Sequence, residues 1–253
     1  MRLYLKIFFC IYAVLIFSAR VVFSGGMGEG RESYAASGGA GTSPEKGGRK
    51  MVIDLPAPKP KGSMSVEDAL NRRHSVREYM DKPLELFKVS QLLWACGGRR
   101  LDAVTGATRT YPSAGGCYPL EIYLVAGRVT DLDPGVYRYD HKKHRLEMVM
   151  EGDVRVMLAR AALGQKFIAD APASIVITAV YKRTVRVYGD RGYFRYVPMD
   201  AGHAAQNIYL ESVALGLGTV AVGAFIDSKV SAVIGIEGDE TPLYIFPFGY
   251  PGE

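Results

Sequence analysis

The sequence predicts an α+β fold: a central, mostly antiparallel sheet of four to five strands flanked by helices. Three observations carry this. Strand-like segments alternate with helical segments of unequal length, and a hairpin stands early among them. No Gly-x-Gly-x-x-Gly leads from a strand into a helix, so nothing supports a dinucleotide-binding, doubly wound sheet.

The elements follow in chain order. Ser65 with Glu67 and Asp68 reads as a capped helix start, and Val66, Ala69 and Leu70 form its apolar face. Pro83 opens a second helix with Leu86, Val89, Leu92, Leu93 and Cys96 inward, and Gly97-Gly98 stops it. Leu120 to Ala126 is a buried strand. Asp133-Pro134-Gly135 is a turn, and Val136–Asp140 with Arg145–Met150 makes the hairpin. An amphipathic helix from Asp153 to Leu163 precedes a strand from Ala173 to Tyr181. Pro198 to Leu217 is the longest helical stretch. Its small residues, Ala201, Gly202, Ala204, Ala205, Ser212 and Ala214, would let a second helix approach closely, so a subunit interface is expected there. Thr219–Phe225 and Leu243–Phe248 complete the sheet.

The chain divides into three parts. In residues 1–24, Ile7 to Phe17 is an apolar run behind Arg2 and Lys6, shorter than the roughly 20 residues a membrane crossing needs. It fits a secretory signal cleaved near Ser24, which places the protein outside the cytoplasm; the alternative is an uncleaved membrane anchor that includes Arg20 and Val21 to Phe23. Residues 25–50 hold nine glycines and almost no large apolar groups, so they read as a flexible linker. Residues 51–253 are then one domain with a substantial core. Of 31 Lys+Arg, three precede Gly25 and no acid does, leaving 28 bases against 26 acids, or +2. That balance shows no clustered basic face and argues against a nucleic-acid partner. Cys96 and Cys117 could pair in an oxidising compartment, but they read more simply as two small apolar thiols.

Three clusters carry candidate chemistry. Arg73-His74-Ser75-Val76-Arg77 puts four polar groups within five residues at a helix end, a set that suits a phosphate dianion. Pro112-Ser113-Ala114-Gly115-Gly116 lets backbone lie against a flat ring. Val222-Gly223-Ala224-Phe225 ends a strand where a glycine could bring backbone close to a ligand. Each has an ordinary alternative: arginines solvated or paired with Glu78, a Gly-rich connection, a tight exit into Ile226-Asp227. His203 reads more simply as a core or interface histidine than as a base.

Taken together, in this order and with Phe248-Gly249-Tyr250-Pro251 near the end, the clusters resemble the FMN-dependent nitroreductase family. The nearest branch is that of the SagB-type, azoline-oxidising dehydrogenases, and the similarity runs from Ser65 to Pro251. The resemblance implies FMN held between the subunits of a homodimer. Arg73, His74, Ser75 and Arg77 would meet the phosphate, with Gly249 nearby. Pro112, Ser113, Ala114, Gly115, Gly116, Gly223 and Ala224 would line the ring, and no metal is expected. Flavin chemistry would pass hydride or electrons to or from a small organic substrate, with NAD(P)H as reductant, and Tyr188 would exchange a proton near the ring.

Two departures stand out. Tyr250 occupies the place where relatives carry an arginine, offering a hydroxyl and no charge. Val187-Tyr188 replaces the Lys-Tyr pair of azoline oxidases, removing the lysine base. The rival readings are therefore azoline-ring oxidation in a modified peptide, and a tethered flavin-binding module without turnover.

Overall fold

The computed structural model describes residues 51–102, 106–236 and 238–252. The signal or anchor and the Gly-rich linker expected over residues 1–50 lie outside the described residues. Among the described residues no helix is long and apolar enough to cross a membrane.

In chain order, β1 is Val52–Asp54, α1 Val66–Arg72, α2 Leu86–Gly97, β2 Arg99–Asp102 and β3 Gly106–Arg109. A 3-10 turn at Ala114–Gly116 leads to β4 Leu120–Ala126, β5 Gly135–Asp140 and β6 Arg145–Glu151. Then come α3 Arg155–Ala161, α4 Lys166–Asp170, β7 Ala173–Val180 and α5 Lys182–Tyr188. A π-helical turn, Gly192–Tyr196, runs into α6 Val197–Ala214, followed by β8 Gly218–Thr219, α7 Asp227–Ile234 and β9 Glu240–Gly249.

The main sheet has seven strands in the order β1-β6-β5-β4-β7-β9-β8, and every neighbouring pair is antiparallel. That exceeds the four to five strands expected. The strand with no counterpart in the sequence reading is the edge β1, whose three residues are too few to show a period. The expected strand Thr219–Phe225 pairs over only Gly218–Thr219, with one further bridge from Val222 to Ile245. A separate hairpin joins β2 to β3.

Strand alternation builds the layers. On β4, Leu120, Ile122, Leu124 and Ala126 face the side that holds α2 and α6, while Tyr123 and Val125 face α3, α4 and α7. On β7, Ile175 and Ile177 go one way and Val176 the other. Both faces are covered, so β4 and β7 are buried along their whole length.

Three expectations change locally. Ser65 caps α1 by accepting from the Asp68 amide at 3.1 Å, as the sequence suggests, but only Ala69 is buried; Val66 and Leu70 are exposed. Pro83 does not begin α2. Leu84 instead bonds the opposing loop, donating to the Arg128 carbonyl at 3.0 Å and accepting from Thr130 at 2.8 Å, so the helix starts at Leu86. The small residues of α6 serve the subunit's own interior. Ala201, Ala204, Ala205 and Ser212 are buried in this chain, α6 packs against α2, and only Gly202 and Ala214 of that set are exposed.

Candidate functional site

Helix α6 organises both predicted clusters, but at opposite ends. Near its start, the Asp200 carboxylate accepts from the Ser113 hydroxyl at 2.5 Å and from the Ala114 amide. Asp200 is buried, and burial pushes its pKa up; the Ser113 and Ala114 bonds pull the other way. Ser113 Oγ also accepts the Tyr118 amide at 2.9 Å, so one hydroxyl fixes both flanks of the loop. Within that loop Gly115 and Gly116 have φ of 57° and 63°, a conformation glycine adopts without penalty. A Cβ on Gly115 would overlap the Tyr188 hydroxyl.

Tyr188 therefore does reach the predicted ring-binding loop. It ends α5, and its ring meets Tyr196 edge-on at 4.9 Å. Val187 beside it is exposed, so a lysine there would begin from the surface. His203 is exposed on α6 and makes no hydrogen bond among the described residues.

Near the other end of α6, the Tyr209 hydroxyl accepts the Ala221 amide at 2.8 Å and bonds Ser75 Oγ at 3.1 Å. The Arg73 guanidinium lies 5.2 Å from the Tyr209 ring, and Arg77 lies 6.0 Å from Phe167. Val76 donates to the Thr219 carbonyl at 2.9 Å, fixing the segment along β8. Neither Arg73 nor Arg77 has an acidic partner among the described residues; the pairing with Glu78 that the sequence allowed does not form. His74 Nδ1 bonds the Arg72 carbonyl at 3.0 Å and lines a small cavity of about 180 Å³ with Tyr209, Ser212 and Thr219. Ser212 Oγ is buried there without a hydrogen-bond partner among the described residues.

Gly223, Ala224 and Gly249 divide. Gly223 is exposed, and a Cβ there would find open space except for Tyr244 at 4.0 Å. The Ala224 carbonyl is taken by Gln165 Nε2 at 2.9 Å. Gly249 is buried, pairs with Gly218, and a Cβ on it would strike Pro172 and Tyr79, so close packing accounts for it. Tyr250 offers no free hydroxyl, because it donates to Glu85 Oε2 at 2.5 Å and accepts from Lys88 Nζ at 3.0 Å. Lys82 and Lys88 flank its ring at 4.1 and 4.4 Å, with the Glu85 carboxylate, 3.9 Å from Lys88, offsetting one of the two charges. Cys96 and Cys117 are both free thiols, and burial pushes Cys96 up to about 12.

The chain thus gathers most of its predicted residues into two sets, and the contacts of Gly223, Ala224 and Gly249 place them in neither. Ser113–Gly116 meets Tyr188 and Asp200, whereas Arg73–Arg77 meets Tyr209 and Thr219. Asp200 and Tyr209 are nine positions apart, about 13 Å along the helix and about half a turn round it. Asp200 stands in a stretch, Asp200-Ala201-Gly202-His203, that contributes to the family resemblance, but neither it nor Tyr209 is assigned a role from the sequence. Their partners lie 87 and 134 positions away, and a lone acid or tyrosine on a helix carries no local signal.

The description "Nitroreductase family" matches residues 70–250. A Methanocaldococcus jannaschii protein named as a nitroreductase is 46% identical over 202 residues, spanning 80% of this chain and 98% of its own. The crystal structure of a Ralstonia eutropha protein, also named as a nitroreductase, superposes with a TM-score of 0.68 at 31% identity, covering 80% of this chain and 90% of that one. The Escherichia coli microcin synthetase McbBCD, with truncated pro-MccB17 bound, gives a TM-score of 0.63 at 22% identity, covering 81% of this chain and 80% of that one, and shows the fold alone.

Proposed function

The chain belongs to the nitroreductase family of oxidoreductases, and on that premise we propose an FMN-dependent homodimer that reduces or oxidises a small organic substrate, with NAD(P)H as electron donor. The observation that carries this is the pair of guanidiniums, Arg73 and Arg77, that have no acidic partner among the described residues and flank Ser75. They are the donor set a phosphate dianion needs. The Gly115 cradle suits the ring, since only a residue without Cβ keeps backbone so close to the Tyr188 hydroxyl.

Flavin, once bound, supplies hydride or electron-pair chemistry. This chain's part is to grip, orient and donate protons. Ser75 and Arg73 hold the anionic end; Ser113, itself oriented by Asp200, shapes the ring loop; Tyr188 stands where a proton could pass. The two sets sit at opposite ends of α6, so one flavin would take its phosphate grip from one subunit and its ring loop from the other. The exposed stripe Met199, Gly202, His203 and Gln206 on α6 is the face we assign to the second subunit. Azoline oxidation is the weaker reading here, because no lysine accompanies Tyr188. Export, with residues 1–24 as signal or tether, remains part of the proposal.

The test is direct. Purified protein should be yellow, release FMN on denaturation, and bleach and recover over many cycles of NAD(P)H and a nitro-aromatic or quinone acceptor. A folded, colourless protein that ignores added FMN would refute the proposal.

A further inference from the structure

Beside the Ser113–Gly116 loop lies a second and larger space. A cavity of about 760 Å³ opens among hairpin β2–β3, strands β4 to β6 and α5. Most of its charges cancel. Glu121 is shared by Arg138 at 2.9 Å and Arg183 at 2.5 Å, and Arg145 takes both Asp140 at 3.1 Å and Glu147 at 2.6 Å. Burial alone would push the Glu121 pKa up, but the two guanidiniums hold it low, so it remains a carboxylate.

Arg109 is the exception. It is only 8% exposed, yet among the described residues its one hydrogen bond runs from Nη1 to the Leu120 carbonyl at 3.2 Å. Its guanidinium lies 5.7 Å from the Tyr118 ring and 6.0 Å from the Tyr111 ring. No acid pairs with it among the described residues. A guanidinium carries five N–H donors, and burying it without a counter-charge is costly. Arg99 and the side chain of Lys142, also on the cavity wall, likewise have no acidic partner among the described residues.

We propose that this cavity binds an organic carboxylate, its anionic head paired with Arg109 and its flat body lying along Tyr118 and Tyr139. A single planar fork suits a carboxylate, which it can grip with two parallel bonds. A phosphate dianion would call on several buried donors, whereas Arg138 and Arg183 are already committed to Glu121 and Arg99 and Lys142 are exposed. His141, pushed down to about 4 by burial and then by Arg109, is neutral at pH 7 and adds no competing charge. The size matches pockets that take small organic ligands. This site is separate from the Arg73–Arg77 grip, and the inference does not depend on flavin being bound.

The carboxylate could be a free aromatic acid or the C-terminus of a peptide, and calorimetric titration of the full chain separates them. The probes are 2-naphthoate against 2-naphthamide, and acetyl-Gly-Phe with a free against an amidated C-terminus. At least one acid should bind saturably, with its amide about tenfold weaker or worse, the size of one lost charge-assisted contact. Arg109→Met should abolish that difference. Because Arg109 also bonds Leu120, the double variant Arg99→Ala/Lys142→Ala provides a second test: it should weaken acid binding several-fold and reduce its salt dependence. The proposal is overturned if neither acid saturates at millimolar concentration, if acid and amide bind alike, if inorganic phosphate competes as well as the acids, or if both variants bind unchanged.

Discussion

The two ends of α6 hold their loops in contrasting ways. At Asp200 the fastening is a buried carboxylate that consumes the Ser113 hydroxyl and the Ala114 amide, leaving a rigid loop with few spare donors. At Tyr209 the fastening is a hydroxyl, and the arm it holds keeps two guanidiniums without acidic partners among the described residues. The first end supplies shape and the second supplies charge. A flavin would need both, a slot for the ring and a grip for the phosphate, and α6 carries them towards opposite ends and on opposite sides.

The largest effect should come from spoiling the shape. Gly115→Val places a β-branched residue at φ 57° and into the Tyr188 hydroxyl, at a cost of about 2–4 kcal/mol. Thermal melting and FMN release should both show it. Tyr188→Ala in the same chain should relieve the clash but not the backbone strain, so a full rescue would mean that strain counts for little. Next, Asp200→Ala leaves the half-buried Ser113 and Ala114 donors without their acceptor, for about 1 kcal/mol of stability. Asp200→Asn should cost less, because an amide oxygen can still accept.

Spoiling the charge should look different. Arg73→Ala or Arg77→Ala should weaken FMN binding about tenfold to a hundredfold, the equivalent of one charge-assisted contact, with little change in melting temperature. A large drop in melting temperature instead would make these arginines structural and erase the contrast. Tyr209→Phe should fall between, losing about 1 kcal/mol as Ser75 and the Ala221 amide lose their partner.

The smallest effect lies away from both ends and gives a baseline. His141 is held at about 4, below its ordinary 6.5, so between those values the unfolded chain binds a proton that the folded chain refuses. Stability is present above this window and is lost as pH falls through it. The ring is half-exposed, which limits the loss to about 1 kcal/mol. His141→Gln should flatten that part of the pH profile, read by chemical denaturation at several pH values.

The sequence makes some of this plain and hides the rest for physical reasons. The strands at Leu120–Ala126 and Ala173–Val180 are legible because both faces are buried and the apolar run is continuous. The end of α2 is legible from Gly97-Gly98, but its start is not, since nothing local shows that Leu84 will bond a loop more than forty residues away. The small residues of α6 announce a close approach without naming the partner, and the partner proves to be α2 in the same chain. The polar run at Arg73–Arg77 and the Gly-rich run at Pro112–Gly116 stand out in the sequence as residue types, and their role in a site is proposed. Their anchors, Asp200 and Tyr209, and the buried Arg109 depend on contacts that only the folded chain creates.

A complementation experiment tests the account most directly. One subunit would carry Arg73→Ala/Arg77→Ala and the other Gly115→Val, and each homodimer should be colourless. If one flavin draws on two subunits, a mixed dimer restores one site with both halves intact, and about one FMN per dimer should be recovered, against two in the unaltered protein. A mixed dimer that forms but stays colourless would mean that both halves come from the same subunit, contradicting the arrangement inferred from α6.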